Sequence, residues 1–595
     1  MNSQQRHLVT TADESTWGSH QPIVFLGEWC ILQKRKHIWS KLDYVIGKPY
    51  GIERRQKDCD FLNVRQIESN VFSELCKILN DQHSLKRDER CWKILIGHWF
   101  TRFVKTIVNR SGSISQVLRD YKISSVTLYE PDQVSLSAFD TDEANWKADE
   151  PLWNTVLCGE IIELIATYPI NFQYIPLDIN QKKNGLEGFK NINLPLKNVL
   201  AKIVFDCIFG ALRPFARNSD AFILNPYLSK CDHFLTELSL GQVPQYWRRV
   251  ENHRFGHADP NLRSQLTDKL ILSKCVQDEI IVKKLLFKCL PLCFLEGFSI
   301  VQSRVDSINW PKSPKFIWTS NNFDTDELFK FWTAAKIEMG VKYYVGQHGN
   351  NYGTSRYMFP SIEEITSDKF FTWGWTDGLK QHIPTFAFKI RSKNKFKIKI
   401  NGGLLIVADR VEHRNTTWDG TFQFRRSVEN QIQFVKNLNT NPRKSLTLRL
   451  HGSSKLLNGE ELLRWQEFDS SIKIDQGKMP ILKLVARSRL VVYVYDSTGI
   501  LELLASNIPV VAFWMHGLDN IRDSACEHYK KLVDAKIVHL TYQSAAQHVN
   551  QRWDNIGEWW ASDRVQNARL QFCKRYANID KKAIGDIKNF LLNNS

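Results

Sequence analysis

The alternation of apolar and polar residues is most regular in residues 489–514. Leu490–Tyr495 is a short apolar run rich in β-branched and aromatic residues, which predicts a buried strand. The apolar residues that follow recur at helical spacing until Pro509, and Val510–Trp514 predicts a second strand. This stretch therefore predicts a βαβ unit, in which two parallel strands are joined by a right-handed crossover.

Similar apolar runs predict strands in both halves of the chain, at residues 23–27, 124–129, 315–320, 342–346, 370–375, 403–408 and 445–450. Helical spacing separates many of these runs, and the first twenty residues lack either pattern, so we expect a loose tail there. Strands that alternate with helices are typical of α/β proteins with parallel sheets. We predict two Rossmann-like domains, residues 1–395 with helical insertions and residues 396–595 with terminal helices.

A strongly basic run lies near the predicted boundary. Residues 389–399 contain six basic residues and no acidic one. Such a run is typical of a linker or of an edge strand protected by lysines. A contact with an anionic membrane surface is the alternative interpretation.

The charge of the whole chain narrows the choice of partner. The chain of 595 residues has 80 Lys and Arg against 63 Asp and Glu, a formal charge of +17. This excess favours an anionic partner, which includes nucleic acid, an acidic membrane surface and a charged substrate. We expect no nucleic-acid partner, because the tryptophans are dispersed and no recognised binding motif is present.

The sequence contains no segment with the roughly 18–20 uninterrupted apolar residues that a membrane span needs. The N-terminal residues are polar and do not resemble a signal peptide, so we expect a cytoplasmic protein, peripheral at most on the inner membrane. The 12 cysteines form no CxxC pair. We therefore expect reduced thiols and no metal site.

Candidate ligand-binding residues lie where the predicted strands end. Ser497 and Thr498 open the helix of the βαβ unit, where free N–H groups and the helix dipole suit a phosphate. Glu502 lies one turn later and could hold ribose or sugar hydroxyls. Arg449 ends a strand of the same predicted sheet and suits phosphate or carboxylate binding, although it could equally be an ion-pair partner. An ordinary capped helix without a ligand is the plain alternative.

Candidate catalytic residues come from the first half. His348 follows a predicted strand and is flanked by glycines, so it could act as a base or as a hydrogen-bond donor. A turn histidine packed on Tyr352 is the structural alternative. Glu28 follows the first predicted strand and could contact an acceptor or act as a base, with a solvated loop acid as the plain alternative. Glu364 precedes a later strand and could face the same cleft as His348.

Several short motifs occur together along nearly the whole chain: Leu26–Trp29, His83–Ser84 with Trp92 and Gly97–Trp99, Gln347–Gly349 with Tyr352–Gly353, Thr372–Trp375, Arg449–Leu450, Asp496–Thr498 through Glu502 to Asn507–Pro509, and Phe513–Trp514. In combination they resemble the transferase family encoded in bacterial O-antigen and surface-polysaccharide gene regions. This resemblance implies a GT-B glycosyltransferase that uses a nucleotide-sugar donor and a lipid-linked or oligosaccharide acceptor.

The second half is also similar to capsule-type Kdo transferases and to the glycerophosphate polymerases of teichoic-acid synthesis. Those relatives use CMP-sugars or CDP-polyols, and their strand before the donor turn commonly ends in Arg-x-His-Pro. Here the corresponding residues are Arg449–Gly452, without the proline. The similarity implies donor contacts at Arg449 and His451 and a CMP-linked donor. A polyol-phosphate transferase and a non-catalytic assembly scaffold remain as alternatives.

Overall fold

The computed structural model describes residues 2–18, 22–130, 133–177, 210–252, 254, 256–271, 277–391, 399–409, 413–452, 459–579 and 582–593. Three sheets, each formed by parallel strand pairs, organise these residues. The predicted α/β class with parallel sheets is therefore confirmed. The basic residues 392–398 lie outside the described part of the chain.

The first sheet has the strand order β3-β2-β1-β4-β5. Its strands are β1 Asn2–Val9, β2 Ile23–Phe25, β3 Tyr44–Ile46, β4 Tyr121–Tyr129 and β5 Asn171–Ile175. The prediction of a loose N-terminal tail is wrong, since β1 is the central strand. Its polar residues are satisfied by distant partners: Arg6 donates to the Ile23 carbonyl at 3.3 Å, and His7 Nδ1 bonds Ser125 Oγ at 2.9 Å.

The second sheet has the order β10-β9-β8-β7-β6 and also lies within the predicted N-terminal domain. Its strands are β6 Phe222–Leu224, β7 Phe316–Thr319, β8 Lys342–Gly346, β9 Lys369–Thr372 and β10 His382–Pro384. Its strands are mostly buried, which explains their continuous apolar runs.

The third sheet has the order β13-β12-β11-β14-β15-β16. Its strands are β11 Gly403–Val407, β12 Leu446–Arg449, β13 Lys473–Asp475, β14 Ser488–Tyr493, β15 Val510–Phe513 and β16 Val538–His539. The predicted βαβ unit is confirmed, because β14 and β15 pair in parallel on either side of a helix at Thr498–Ala505. The domain boundary at residues 395 and 396 stays a prediction.

The helices that surround the sheets are α1 Lys36–Trp39, α2 Arg54–His83, α3 Glu89–Asp120, α4 Thr141–Lys147, α5 Pro151–Ile165, α6 Lys230–Ser239, α7 Pro260–Ile271, α8 Gln277–Cys289, α9 Phe298–Ser307, α10 Glu327–Glu338, α11 Ile362–Thr366, α12 Phe388–Arg391, α13 Gly420–Lys436, α14 Thr440–Lys444, α15 Glu460–Phe468, α16 Ile481–Val485, α17 Thr498–Ala505, α18 Asp523–Asp534, α19 Tyr542–Arg552, α20 Ile556–Ala561, α21 Asp563–Tyr576 and α22 Lys582–Asn593. Within the described residues, no helix is long and apolar enough to cross a membrane.

The end of the chain returns to the second sheet. Ile587 and Leu591 of α22 are buried in one apolar cluster with Tyr344 of β8 and Phe371 of β9. Just before α22, the Asn578 backbone accepts a hydrogen bond from Ala387 N–H at 2.7 Å. The terminal helices thus link the third-sheet region to the second sheet.

Candidate functional site

The turn between β14 and α17 presents a buried hydroxyl at a helix N-terminus. Ser497 is the N-cap residue of α17, in an extended conformation, and its side chain makes no capping hydrogen bond. Ser497 is only 6% exposed, yet its Oγ has no hydrogen-bond partner. Buried hydroxyls usually have partners, and the first N–H groups of a helix attract anions. This turn is therefore suited to a phosphate group.

The loop after β8 contacts this turn directly. Asn350 N–H donates to Thr498 Oγ1 at 2.9 Å, and Asn350 Nδ2 donates to Asp496 Oδ1 at 2.8 Å. Tyr529 of α18 donates to the other oxygen of Asp496 at 2.7 Å. Burial raises the pKa of the Asp496 carboxyl to about 6, and its two donors oppose that rise. These contacts hold the carboxyl ends of β8 and β14 against each other.

A buried glutamine fixes the shape of the loop that carries His348. Gln347 Oε1 accepts hydrogen bonds from Trp373 N–H at 2.9 Å and from Trp375 Nε1 at 2.8 Å. Its Nε2 donates to the Gly349 carbonyl at 2.8 Å. Because these bonds bracket His348 on both sides, the backbone position of the histidine is well defined.

The hydrogen bonds of His348 determine which ring nitrogen carries the proton. Tyr352 has one hydroxyl proton, and it donates that proton to the Glu363 carboxylate. The Tyr352 oxygen therefore accepts from His348 Nδ1–H, at 3.0 Å. The neutral ring then has a lone pair on Nε2, and no described residue bonds to that nitrogen. This tautomer is the one that a general base requires.

Burial keeps His348 neutral. Its pKa is lowered to about 4 by burial, an effect that Asp324 opposes and Lys389 reinforces. Asp324 is itself held by Arg102, whose two terminal nitrogens donate to its carboxylate at 2.7 and 2.5 Å. The ring of Tyr227 lies 6.3 Å from that of His348. The backbone of Tyr227 has a φ of 61°, which is unusual for an aromatic residue.

The donor-side residues predicted in the third sheet have different surroundings. Glu502 is half-buried on α17, one turn beyond Thr498. Arg449 ends β12, where it forms an ion pair with Asp475 and donates to the Met479 carbonyl at 2.7 Å. His451 follows two residues later and is exposed. Arg449 thus makes the ion pair that the sequence left open as an alternative.

The two predicted acids have other partners. Glu28 lies in a short 3-10 helix after β2 and faces Arg425 at 3.5 Å and Arg426 at 4.0 Å, both on α13. Glu364 is 1% exposed, caps α11 by accepting from Ser361 N–H at 2.7 Å, and accepts from His382 at 3.1 Å. No described contact links either acid to His348, whereas the neighbouring Glu363 reaches it through Tyr352.

Four residues of the site were not among the predicted ones: Asn350, Tyr352, Glu363 and Asp496. The sequence indicates Tyr352 only as a possible packing partner of His348 and as a member of one short motif. It favours Glu364 and does not distinguish Glu363. Their roles depend on how the loop folds, which spacing along the sequence does not determine.

A cavity of about 990 Å³ lies elsewhere, at the carboxyl end of β4. Its lining includes Tyr129, Glu130, Tyr174, Arg263 and Lys288. None of the predicted site residues lines it, so this cavity is separate from the candidate site. No group of three or more His, Cys, Asp or Glu side chains among the described residues is placed to hold a metal ion.

Comparisons with known proteins were made for the whole chain. The model of the LIC12162 family transferase matches residues 6–591. A search of curated proteins found no match.

Among solved structures, the chain is similar to S. aureus MnaA with UDP, at 14% identity and a TM-score of 0.36 over 63% of this chain and 98% of that chain. It is similar to the UDP-GlcNAc 2-epimerase of Neisseria meningitidis bound to UDP-GlcNAc, at 13% identity and a TM-score of 0.32 over 60% of this chain and 98% of that chain. It is also similar to Anabaena Alr3699/HepE in complex with UDP and glucose, at 10% identity and a TM-score of 0.34 over 63% of this chain and 100% of that chain.

Proposed function

The chain belongs to the LIC12162 family of transferases, in agreement with the predicted transferase activity, and from this premise we propose that it is a GT-B glycosyltransferase. It moves a sugar from a nucleotide-sugar donor to a growing surface polysaccharide of the O-antigen or capsule type. The observation that carries the proposal is the contact of the His348 loop with the N-terminus of α17, where Asn350 N–H lies 2.9 Å from Thr498 Oγ1. This contact brings a candidate base beside a candidate phosphate site.

The donor phosphate binds at the N-terminus of α17 in this proposal. The unpartnered Ser497 hydroxyl and the free N–H groups of the first turn donate to it, and the helix dipole favours its charge. Lys389 adds a positive charge on the His348 side, close enough to lower the pKa of that histidine. Glu502 holds ribose or sugar hydroxyls. Arg449 and His451 contribute only at the rim, because Arg449 is paired with Asp475.

The chemical step needs a base and a stabilised leaving group. His348 Nε2 takes the proton of an acceptor hydroxyl while that oxygen bonds to the anomeric carbon of the donor sugar. The bond from this carbon to the donor phosphate breaks, and the phosphate leaves with the electron pair. Helix N–H groups, the Ser497 hydroxyl and Lys389 stabilise the charge that develops on the leaving phosphate. Tyr352 and Glu363 hold the base in its productive tautomer.

The acceptor in this proposal is a lipid-linked or oligosaccharide chain, and the protein meets it at the cytoplasmic face of an anionic membrane. The formal charge of +17 supports such a contact, because excess positive charge attracts anionic surfaces. The donor is either a CMP-linked sugar or a hexose linked to a nucleotide such as UDP, GDP or dTDP. Nucleotide binding distinguishes these donors most directly.

A thermal-shift screen against CMP, CDP, UDP, GDP and dTDP tests the proposal. A nucleotide at 100 times its dissociation constant is expected to stabilise the protein by about 2.7 kcal/mol. The shift should disappear in Ser497→Ala/Thr498→Ala. A shift with UDP, GDP or dTDP would favour transfer of an ordinary hexose, whereas a shift with CMP would fit an acidic sugar or a polyol. A CDP-polyol consumed with release of CMP would then favour the polyol-phosphate transferase.

Ser562→Ala is a matched control, since Ser562 is also an N-cap residue that makes no capping hydrogen bond. It precedes α21, outside the proposed site, so nucleotide binding should persist. Equal loss of the shift in both variants would overturn the site assignment. Failure of every nucleotide to shift the wild-type protein would favour a non-catalytic scaffold.

A further inference from the structure

Five large apolar side chains are exposed within residues 213–246, the stretch that contains β6 of the second sheet. Phe215, Phe234, Leu235, Leu238 and Tyr246 are between 38% and 66% exposed. They belong to the 3-10 helix Arg213–Phe215, to α6 and to the segment that follows α6. We call them the Phe234 surface. Contiguous apolar patches of this kind usually mark a contact with a partner or a membrane.

Two contacts show that these three pieces of chain pack side by side. Gln245 Nε2 donates to the Leu212 carbonyl at 3.1 Å, which joins the segment after α6 to the 3-10 helix. The ring of Tyr246 lies 6.1 Å from that of His233 on α6. Phe234 and Leu238 are one helical turn apart and share a face of α6, whereas His233, Thr236 and Glu237 on the other side are buried. Phe234, Leu235 and Leu238 therefore form one exposed apolar face of α6, and Phe215 and Tyr246 lie on the segments that pack beside this helix.

Basic residues flank the Phe234 surface along the chain. Residues 210–249 contain five of them, all exposed or half-buried: Arg213, Arg217, Lys230, Arg248 and Arg249. The guanidinium of Arg248 lies 5.9 Å from the ring centre of Tyr246. The acids of the same stretch are less available, since Asp220 and Glu237 are buried and Asp232 accepts from Ser229 at 2.8 Å. The exposed charge of this surface is therefore positive.

We propose that the Phe234 surface docks the protein on an anionic phospholipid membrane. The apolar face of α6 enters the boundary between headgroups and acyl chains, and the basic residues contact lipid phosphates. A second copy of the chain fits less well, because a symmetric contact would place the same positive charges against each other. This inference rests on the membrane contact proposed above and assigns that contact to a surface.

The position of the surface suits delivery of a membrane-bound acceptor. Tyr227 lies three residues before α6, and its ring is 6.3 Å from the His348 ring. The same ring lies 5.7 Å from Lys389 Nζ. A membrane held by α6 would therefore lie next to the entrance of the candidate site. An acceptor on a lipid carrier could reach His348 without leaving the bilayer.

Co-sedimentation of the full chain with vesicles tests the inference. We expect binding to phosphatidylcholine vesicles that contain phosphatidylglycerol, weaker binding at high salt, and little binding to phosphatidylcholine alone. Phe234→Ser/Leu235→Ser/Leu238→Ser should weaken binding at least roughly tenfold. Arg213→Glu/Lys230→Glu should also weaken it. This charge variant keeps the inference testable if the apolar variant does not fold.

The matched control is Leu62→Ser/Ile300→Ser/Met339→Ser, which removes three exposed apolar side chains from other surfaces. It should bind vesicles like the wild type. Unchanged binding in both α6-region variants, or equal loss in the control, would overturn the inference. The inference would also be overturned if the wild type did not bind anionic vesicles and the α6-region variants lost self-association instead. Nucleotide binding, measured in the same variants, separates failure of this surface from failure of the proposed donor site.

Discussion

His348 is the residue on which the proposed chemistry depends most directly. Its Nδ1–H is occupied by Tyr352 at 3.0 Å, so only Nε2 remains to take a proton from an acceptor. We expect His348→Ala to lower the transfer rate by about 10²–10⁴. Single-turnover transfer, with the donor that the nucleotide screen identifies, measures this loss. A rate close to wild type would remove His348 from the mechanism.

Tyr352 tests whether the tautomer of His348 matters. In Tyr352→Phe the Nδ1–H loses its acceptor, so the proton is no longer fixed on that nitrogen and the rate should fall by about tenfold. Tyr357→Phe is the matched control, since the Tyr357 hydroxyl bonds Asp58 at 3.1 Å instead. We expect a lower kcat with little change in KM for the first variant only. An equal effect in both variants would indicate general loss of packing.

Glu461 should make the stability of the protein depend on pH. This residue of α15 is 2% exposed, and neither carboxylate oxygen has a hydrogen-bond partner. Burial, with a contribution from Asp409, raises its pKa from 4.5 to about 8. Between these pH values the folded chain keeps a proton that the unfolded chain releases. Stability contributed by Glu461 is therefore lost as pH rises from about 4.5 to about 8.

Glu461→Gln removes this dependence, because an amide does not ionise. The free energy of unfolding of the variant, relative to wild type, should rise by about 1–3 kcal/mol between pH 5 and pH 8. Melting temperatures at the two pH values measure the difference. Glu467→Gln replaces an exposed glutamate of the same helix and should show no such change. A Glu461→Gln protein with the same pH dependence as wild type would contradict the assignment.

At the scale of elements, the start of α17 depends on a glycine. A Cβ at Gly499 would lie 2.0 Å from the Tyr493 hydroxyl and 2.5 Å from the ring carbon that carries it. The end of β14 and the first turn of α17 can approach this closely only without a side chain at that position. The tight turn that presents Ser497 follows from this contact.

Gly499→Ala should therefore destabilise the protein by about 1–3 kcal/mol and weaken nucleotide binding, because the ring of Tyr493 or the helix must move. Gly557→Ala is the matched control: Gly557 is also helical, but a Cβ there meets nothing within 4 Å. In that variant we expect a gain of about 0.5–1 kcal/mol from the higher helix propensity of alanine. Thermal melts with and without nucleotide compare the two. Similar stability in both variants would contradict the steric argument.

The sequence predicts elements well where one face is apolar. The βαβ unit around α17 follows from periodicity, and it is present. The strand β1 does not follow, because Arg6 and His7 interrupt the apolar pattern. These residues are buried with partners that lie 17 and 118 positions away along the chain. Apolar periodicity predicts which face of an element is buried, but it does not predict hydrogen bonds to residues far away along the chain.

The candidate site shows the same limit. Ser497 and His348 could be selected because each follows a strand, and the structure places their loops in contact. Tyr352 and Glu363 acquire their role only when the loop folds back onto His348. Glu364 differs from Glu363 by one position, yet it caps α11. Which of two adjacent acids faces a cleft depends on helix phase, and a helix as short as α11 gives little signal for it.

At the scale of the whole molecule, the site exists because separate sheets are held together. His348 belongs to the second sheet and Ser497 to the third. Further along the same loop, Arg356 N–H donates to the Asn520 carbonyl at 2.8 Å. The first sheet joins the third where Glu28 meets Arg425 on α13, at 3.5 Å. Glu28 thus contributes an ion pair to this contact, and its place on the acceptor side of the site stays a prediction.

The last helix provides a further link, and it can be tested by two adjacent residues. Leu591 of α22 is completely buried against the second sheet, whereas its neighbour Leu592 is 45% exposed. Leu591→Ala should lower the free energy of unfolding by about 2–5 kcal/mol, because it leaves a cavity beside the second sheet. Leu592→Ala should change it by less than about 0.5 kcal/mol. Thermal melts give both values.

Nucleotide binding in the same samples shows whether the link extends to the site. Since α22 anchors the chain end on the sheet that carries His348, weaker nucleotide binding is expected only for Leu591→Ala. Equal stability of the two variants would mean that α22 does not hold the third-sheet region to the second sheet.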